Sequence, residues 1–170
     1  NNITKVTSAC FEPSLDYVVL KIPRWDFRKF ELVKRKLGAA MKSVGEVMAI
    51  GRNFEESIQK AIRMLEIGKD GLVSNSPIYP ERKEDIEWIE QALLHPTDEI
   101  LFTVVKALQM GMDIDRINAL SSIDPWFLFR IKRILDMEAE LKKAGFDKDI
   151  IRKAKTIGFS DKQIGRCLGT

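Results

Sequence analysis

His95 is the single histidine of the 170-residue chain, and Cys10 and Cys167 are its two cysteines. A structural zinc site needs about four thiolate or imidazole ligands. The cysteines stand near opposite ends, so the sequence offers no metal site. Both are expected to be reduced thiols, as in a cytoplasmic protein. His95 precedes a proline and has no serine or cysteine partner motif, so no catalytic set emerges from spacing. Carboxylates are plentiful, but Asp98, Glu99, Asp113, Asp124, Asp147 and Asp161 all stand where helices should begin. Capping or first-turn placement against the helix dipole accounts for each of them.

The stretch MKSVGEVMAIGR, residues 41–52, surrounds an apolar run with two glycines, a lysine and an arginine. Its glycines are not spaced as in a P-loop or a dinucleotide fingerprint, so it makes no nucleotide cradle. Trp25, Phe27 and Phe30 alternate with Arg24, Arg28 and Lys29, a pattern that can stack on bases. Packing of the rings beneath a sheet, with the cations solvated, is the plainer expectation. Trp126 and Phe127 are likewise expected in a core.

These residues must be held by two kinds of element. Asp16 to Pro23, DYVVLKIP, is rich in β-branched and aromatic residues and predicts a strand buried on both faces. Val44, Val47, Met48, Ala49 and Ile50 predict a second short strand. Asn53 with Glu56 reads as a capping box, opening a helix whose stripe is Phe54, Ile58, Ala61, Ile62 and Leu65 and whose C′ residue is Gly68. From residue 85 the chain turns to short capped helices. The first carries Ile86, Ile89, Leu93 and Leu94. Thr97 should cap the next, which buries Ile100, Leu101, Val104, Val105 and Leu108. Asp113 caps a third. Asp124-Pro125 opens a long helix, because proline at the first helical position loses no hydrogen bond. Gly111-Met112-Asp113, Gly145-Phe146-Asp147 and Gly158-Phe159-Ser160 repeat one grammar: glycine ends a helix, an apolar residue staples the turn and a polar residue caps the next helix.

Composition is that of an ordinary globular chain, 45% hydrophobic and 31% charged, with net charge +3. That charge is too small to require a nucleic acid or an anionic membrane, and no apolar run reaches the roughly 18–20 residues of a span. Asn2-Ile3-Thr4 matches a glycosylation sequon that, without a secretory signal, is a chance match. With no initiator Met, the chain is expected to be a piece of a longer protein. Residues 1–68 hold 12 basic and 8 acidic residues, and residues 69–170 hold 16 and 17. The shift falls at Gly68-Lys69-Asp70-Gly71, before a loop rich in Ser and Pro, and sets an expected boundary: domain 1–67, then domain 68–170. The fold class expected is an α+β N-terminal piece followed by an all-α helical domain.

One rival pattern is the stretch from Asp149 to Gly169, which has the rhythm of a helix-turn-helix. With Arg152, Lys153 and Lys155 it suggests a nucleic-acid adaptor. The recognition helix that should follow the Leu-Gly turn is absent, so the pattern reduces to an αα-hairpin.

FEPSLDYVVLKIPRWDFRKF (residues 11–30) and MKSVGEVMAIGRNFEESIQKAIRMLE (residues 41–66) resemble the carbamoyl phosphate synthetase large subunit. The resemblance continues through IDPWFLFRIKRIL (residues 123–135) and AKTIGFSDKQIG (residues 154–165). It implies that residues 1–67 are the closing edge of an ATP-grasp domain and residues 68–170 a helical oligomerisation domain. The family joins bicarbonate, ammonia (usually from glutamine) and two ATP, with Mg²⁺ (or Mn²⁺), into carbamoyl phosphate, for pyrimidine and arginine synthesis. The E-x-N-P-R metal and phosphate motif and the glycine-rich ATP loop are absent here. The resemblance therefore implies a piece with no catalytic, ATP-binding or metal residues, inactive alone. It implies as partners the remainder of the large subunit, a glutaminase small subunit and further copies, with neither nucleic acid nor membrane. Val44 and Gly45 match the region near the family's intermediate tunnel and are expected wall residues. Ile131 and Ile134 are expected to form an oligomerisation face. Lys21 and Arg24 match the family's KIPR.

Overall fold

The computed structural model describes residues 3–6, 15–27, 29, 32, 34–75 and 85–170. Two antiparallel strands, β1 (Val18–Arg24) and β2 (Gly45–Gly51), are followed by seven helices: α1 (Phe54–Met64), α2 (Ile86–Leu94), α3 (Ile100–Gln109), α4 (Ile114–Ser121), α5 (Pro125–Ala144), α6 (Lys148–Thr156) and α7 (Asp161–Leu168). The strand register pairs Val19 with Ile50 and Lys21 with Met48. Pro23 lies inside β1 opposite Glu46, a position that an edge strand tolerates because no ladder donor is needed outward.

Residues of successive pleats point to opposite faces. Ile22 and Ala49 turn inward onto α1 and are buried, whereas Val19, Met48 and Ile50 turn outward and are 44%, 56% and 57% exposed. The expectation of a strand buried on both faces is corrected: among the described residues only α1 covers this sheet. Phe27 is buried and Trp25 half-buried, as packing predicts. Arg28, Phe30, Cys10 and Asn2, named above, lie outside the described residues.

The stripe of α1 forms as read: Ile58, Ala61, Ile62 and Leu65 are buried. The Asn53 side chain accepts from Glu56 N, but the Glu56 carboxylate returns to Arg52 N rather than to Asn53, a capping box displaced by one residue. The left-handed residue after this helix is Glu66 (φ 52°), two positions before the expected Gly68. Asp85, Asp124 and Asp147 each cap a helix through their side chains. Ser160 and Gln163 make a complete capping box. Thr97 starts a turn, and α3 begins only at Ile100. Gly111, Gly145 and Gly158 all have positive φ, and Asp147 and Ser160 cap through their side chains, but Asp113 makes no side-chain cap bond and Phe146 is exposed rather than stapling its turn, so the full grammar is met only at Gly158-Phe159-Ser160.

Helix α5 is the spine, packing against α1, α3, α4, α6 and α7. Its Leu128, Ile131, Ile134 and Leu141 are at most 1% exposed. A single apolar cluster runs from Ile22 and Ala49 through α1 and Leu72 to Ile164 of α7. Among the described residues this cluster includes side chains from both sides of residue 68.

Candidate functional site

Glu55 stands in the first turn of α1 and is 1% exposed. Its Oε1 receives Arg133 of α5 at 2.8 Å and Arg130 at 3.4 Å, while Oε2 is buried with no hydrogen-bond partner among the described residues. Removing a carboxylate from water is costly unless opposite charge meets it, and here two guanidinium groups do. The Arg130 guanidinium also lies over the Trp126 ring, 4.8 Å from its centroid.

Trp126 gathers with Phe54 and Phe127, at centroid separations of 5.0–5.5 Å. Contrary to expectation, Trp126 and Phe127 are not core: they are 47% and 43% exposed, and Phe129 is exposed beside them. Trp126 and Phe129 stand off the buried stripe of α5 (Leu128, Ile131, Ile134), whereas Phe127 is in line with Ile131 and Ile134 but sits in the first turn, beyond the end of the covered interior. Ile131 and Ile134, expected to join subunits, are consumed by the chain's own core and offer no surface to another copy. Their aliphatic character is legible in sequence, but the direction they face is not.

A polar seam ties α1 to the C-terminal helices. Gln59 Oε1 accepts from Leu72 N and from Gln163 Nε2, both at 3.0 Å, and Gln163 Nε2 also donates to Val73 O at 2.8 Å. Arg63 donates to Gly158 O at 2.9 Å and Asn53 Nδ2 to Thr156 O at 3.1 Å. Buried amides persist only when paired, and both side chains are. Spacing marked Gln163 as a capping partner of Ser160 but gave no signal for Gln59 or for the bond between the two glutamines.

A cavity of about 440 Å³ is lined by residues that include Ser74, Trp88, Phe102, Lys106, Glu138 and Cys167. The Ser74 hydroxyl donates to Glu138 Oε1 at 2.7 Å, Lys142 Nζ donates to the same oxygen at 2.9 Å, and Cys167 Sγ lies 3.1 Å from Ser74 Oγ. With the Ser74 proton on the carboxylate, the thiol is left to donate its own. No base stands by to draw a thiolate out. Asp98 and Glu99 pair with Arg35, and His95 closes α2 on the surface. Val44 is exposed where the connection between the strands returns to β2, its N–H donating to Arg24 O, and Gly45 begins β2; neither lines this cavity. Lys21 pairs with Glu46 and Arg24 with Asp26.

Among the described residues no three His, Cys, Asp or Glu gather to hold a metal ion, and no helix is long and apolar enough to cross a membrane. The cations of the rival adaptor face are matched by acids: Arg152 by Asp149, Lys153 by Glu140 and Lys155 by Asp161.

Among the described residues, then, a hairpin packed on one helix leads into a helical array with surface rings and buried polar joints. The chain belongs to the carbamoyl-phosphate synthetase large-chain family: residues 46–170 match the model described as "Carbamoyl-phosphate synthetase large chain, oligomerisation domain". It is 48% identical over 172 residues to the mitochondrial carbamoyl-phosphate synthase [ammonia] of Mus musculus, covering 99% of this chain and 11% of that protein. It is 48% identical over 165 residues to the carbamoyl phosphate synthase large chain of Methanobrevibacter smithii, covering 96% and 15%. To the large chain, N-terminal section, of Methanopyrus kandleri it is 46% identical over 184 residues, covering 99% and 32%. The chain thus spans between about a tenth and a third of these relatives. The family model begins within β2, upstream of the expected boundary at 68.

Proposed function

We propose that this chain is a scaffold of a cytoplasmic carbamoyl phosphate synthetase: its hairpin closes the edge of an ATP-grasp body, and its helices join copies of the enzyme. The observation that carries this reading is the apolar outer face of the sheet, Val19, Met48 and Ile50, on a hairpin bonded into the helical core. A two-stranded sheet with an uncovered apolar face is marginal alone and gains from further strands or a covering layer. Val44 and Gly45, at the end of the hairpin where the strands are connected, would face that body and form part of the wall of its tunnel. The larger protein would use ATP, Mg²⁺ (or Mn²⁺), bicarbonate and ammonia from a glutaminase partner. Its product would feed pyrimidine and arginine synthesis. The rings of α5, Trp126, Phe127 and Phe129, supply the self-association surface, since aromatic residues and arginine are enriched at interface cores.

Two measurements test this. The isolated chain should show no bicarbonate-dependent ATP turnover, and turnover would refute the scaffold reading. In the longer enzyme, Ile50→Lys should abolish carbamoyl phosphate synthesis while the isolated variant keeps its helical circular dichroism. Full synthesis by that enzyme variant would mean that the sheet face covers nothing.

A further inference from the structure

We propose that the connection between β1 and β2 is an ionic strap: Arg35 clasps it to the α2–α3 turn, and this clasp steadies the end of the hairpin that lies farthest from its side-chain bonds to α1. The inference goes beyond the scaffold reading and stands whether or not that reading holds.

The hairpin is bonded to α1 at one end. Ser57 Oγ donates to Val18 O at 3.2 Å and Lys60 Nζ to Ile50 O at 3.1 Å, and Val18 pairs with Gly51. The opposite end, where Arg24 pairs with Gly45, leads instead into the connection. There Arg35 Nε donates to Asp98 Oδ1 at 2.9 Å, and its Nη2 stands 2.8 Å from the same oxygen and 3.0 Å from Glu99 Oε1. Leu37 N donates to Pro96 O at 2.9 Å. Lys42 Nζ donates to Lys34 O at 2.9 Å and to Lys36 O at 2.7 Å, which folds the connection on itself. Val44 N then donates to Arg24 O at 2.9 Å, and the chain rejoins the ladder.

Little besides these bonds holds the segment. Leu37 is half-buried, while residues 34–36 and 38–41 are exposed. Such a segment belongs to the low end of local stability. One planar fork on two carboxylates ties more firmly than a single surface pair. The Leu37–Pro96 bond is neutral, and charge-assisted bonds are roughly twice as strong as neutral ones. The fork therefore decides whether the strap stays closed. Closed, the strap ties the Arg24–Gly45 end of the hairpin to the helices by a route that does not pass through α1. Open, that end keeps only its ladder and its packing on α1.

Residue-resolved hydrogen exchange by NMR on the 170-residue chain tests the strap. The amides of Leu37 and Val44 report the connection and the hairpin end. Ile117 N, which donates to Asp113 O in α4, is the internal reference. In Arg35→Gln, Leu37 and Val44 should both exchange at least about 3-fold faster, relative to Ile117, than in the wild type. Asp98→Asn should act likewise, and adding it to Arg35→Gln should change little further, as for two sides of one contact. Arg35→Lys keeps the charge without the fork and should fall between. Raising sodium chloride from about 0.05 to about 0.5 M should speed both amides in the wild type and not in Arg35→Gln; the wild-type salt response reads the clasp should a variant not fold. A Leu37 amide that moves no more than Ile117, or two single variants whose effects simply add, overturns the clasp. A Val44 amide that stays unchanged while Leu37 accelerates overturns its hold on the hairpin.

Discussion

Asp70 shows how a single charge is spent in this molecule. The hydrogen bond from Arg166 holds its carboxyl below the ordinary aspartate range, with Lys162 and Arg63 adding attraction. Burial pushes Glu56 upward, yet its bonds from Lys60 and from Arg52 N outweigh that and leave it low as well. A carboxylate depressed in the folded state contributes stability above its unfolded value, and that contribution is lost as pH falls through the folded value. The chain should therefore lose stability as pH drops from about 5 toward 3. Asp70→Asn should be less stable at pH 7 and show a flatter decline. Urea midpoints measured at several pH values check this, and an unchanged slope in the variant would sink it. At the same scale, the long-range bonds of Glu55, Gln59 and Gln163 were not legible in sequence. They form with residues some 75 to 104 positions away.

Among the elements, local chemistry was legible and facing was not. Asn53, Asp85, Asp124 with Pro125, and Ser160 with Gln163 declare helix starts because the cap bond spans two or three residues. Glu66 and Ser122 take left-handed backbone without glycine, so no residue type announced those ends. The exposed outer face of β1 was misread because period and composition cannot say how many layers cover a sheet. Gly158 is where an element depends on one atom: its φ is +89°, and a Cβ there would stand 2.9 Å from Glu56 Cα. Gly158→Ala should cost about 2–4 kcal/mol, combining left-handed strain with overpacking. Chemical unfolding measures it, and a loss well under 1 kcal/mol would show that the α6–α7 turn does not rest on α1.

For the whole molecule, the family assignment was legible from long motifs, while which aliphatic residues of α5 turn inward was not. Ile131 and Ile134 look in sequence like any exposed aliphatic stripe. They lie inside because α5 is enclosed by α1, α3, α4 and α7. Ile134→Ala should destabilise the chain by about 2–5 kcal/mol through the cavity it leaves. It should not change the size of the native assembly seen in sedimentation. Dissociation at unchanged thermal stability would restore the isoleucines to an interface. The Gln59–Gln163 bond has a last, temporal consequence. Its partners are 104 positions apart. At ~5–20 residues per second, a ribosome delivers α7 about 5–20 s after α1. For that interval Gln59 Oε1 can meet Leu72 N but not Gln163 Nε2, so the polar seam closes only after α7 has been delivered.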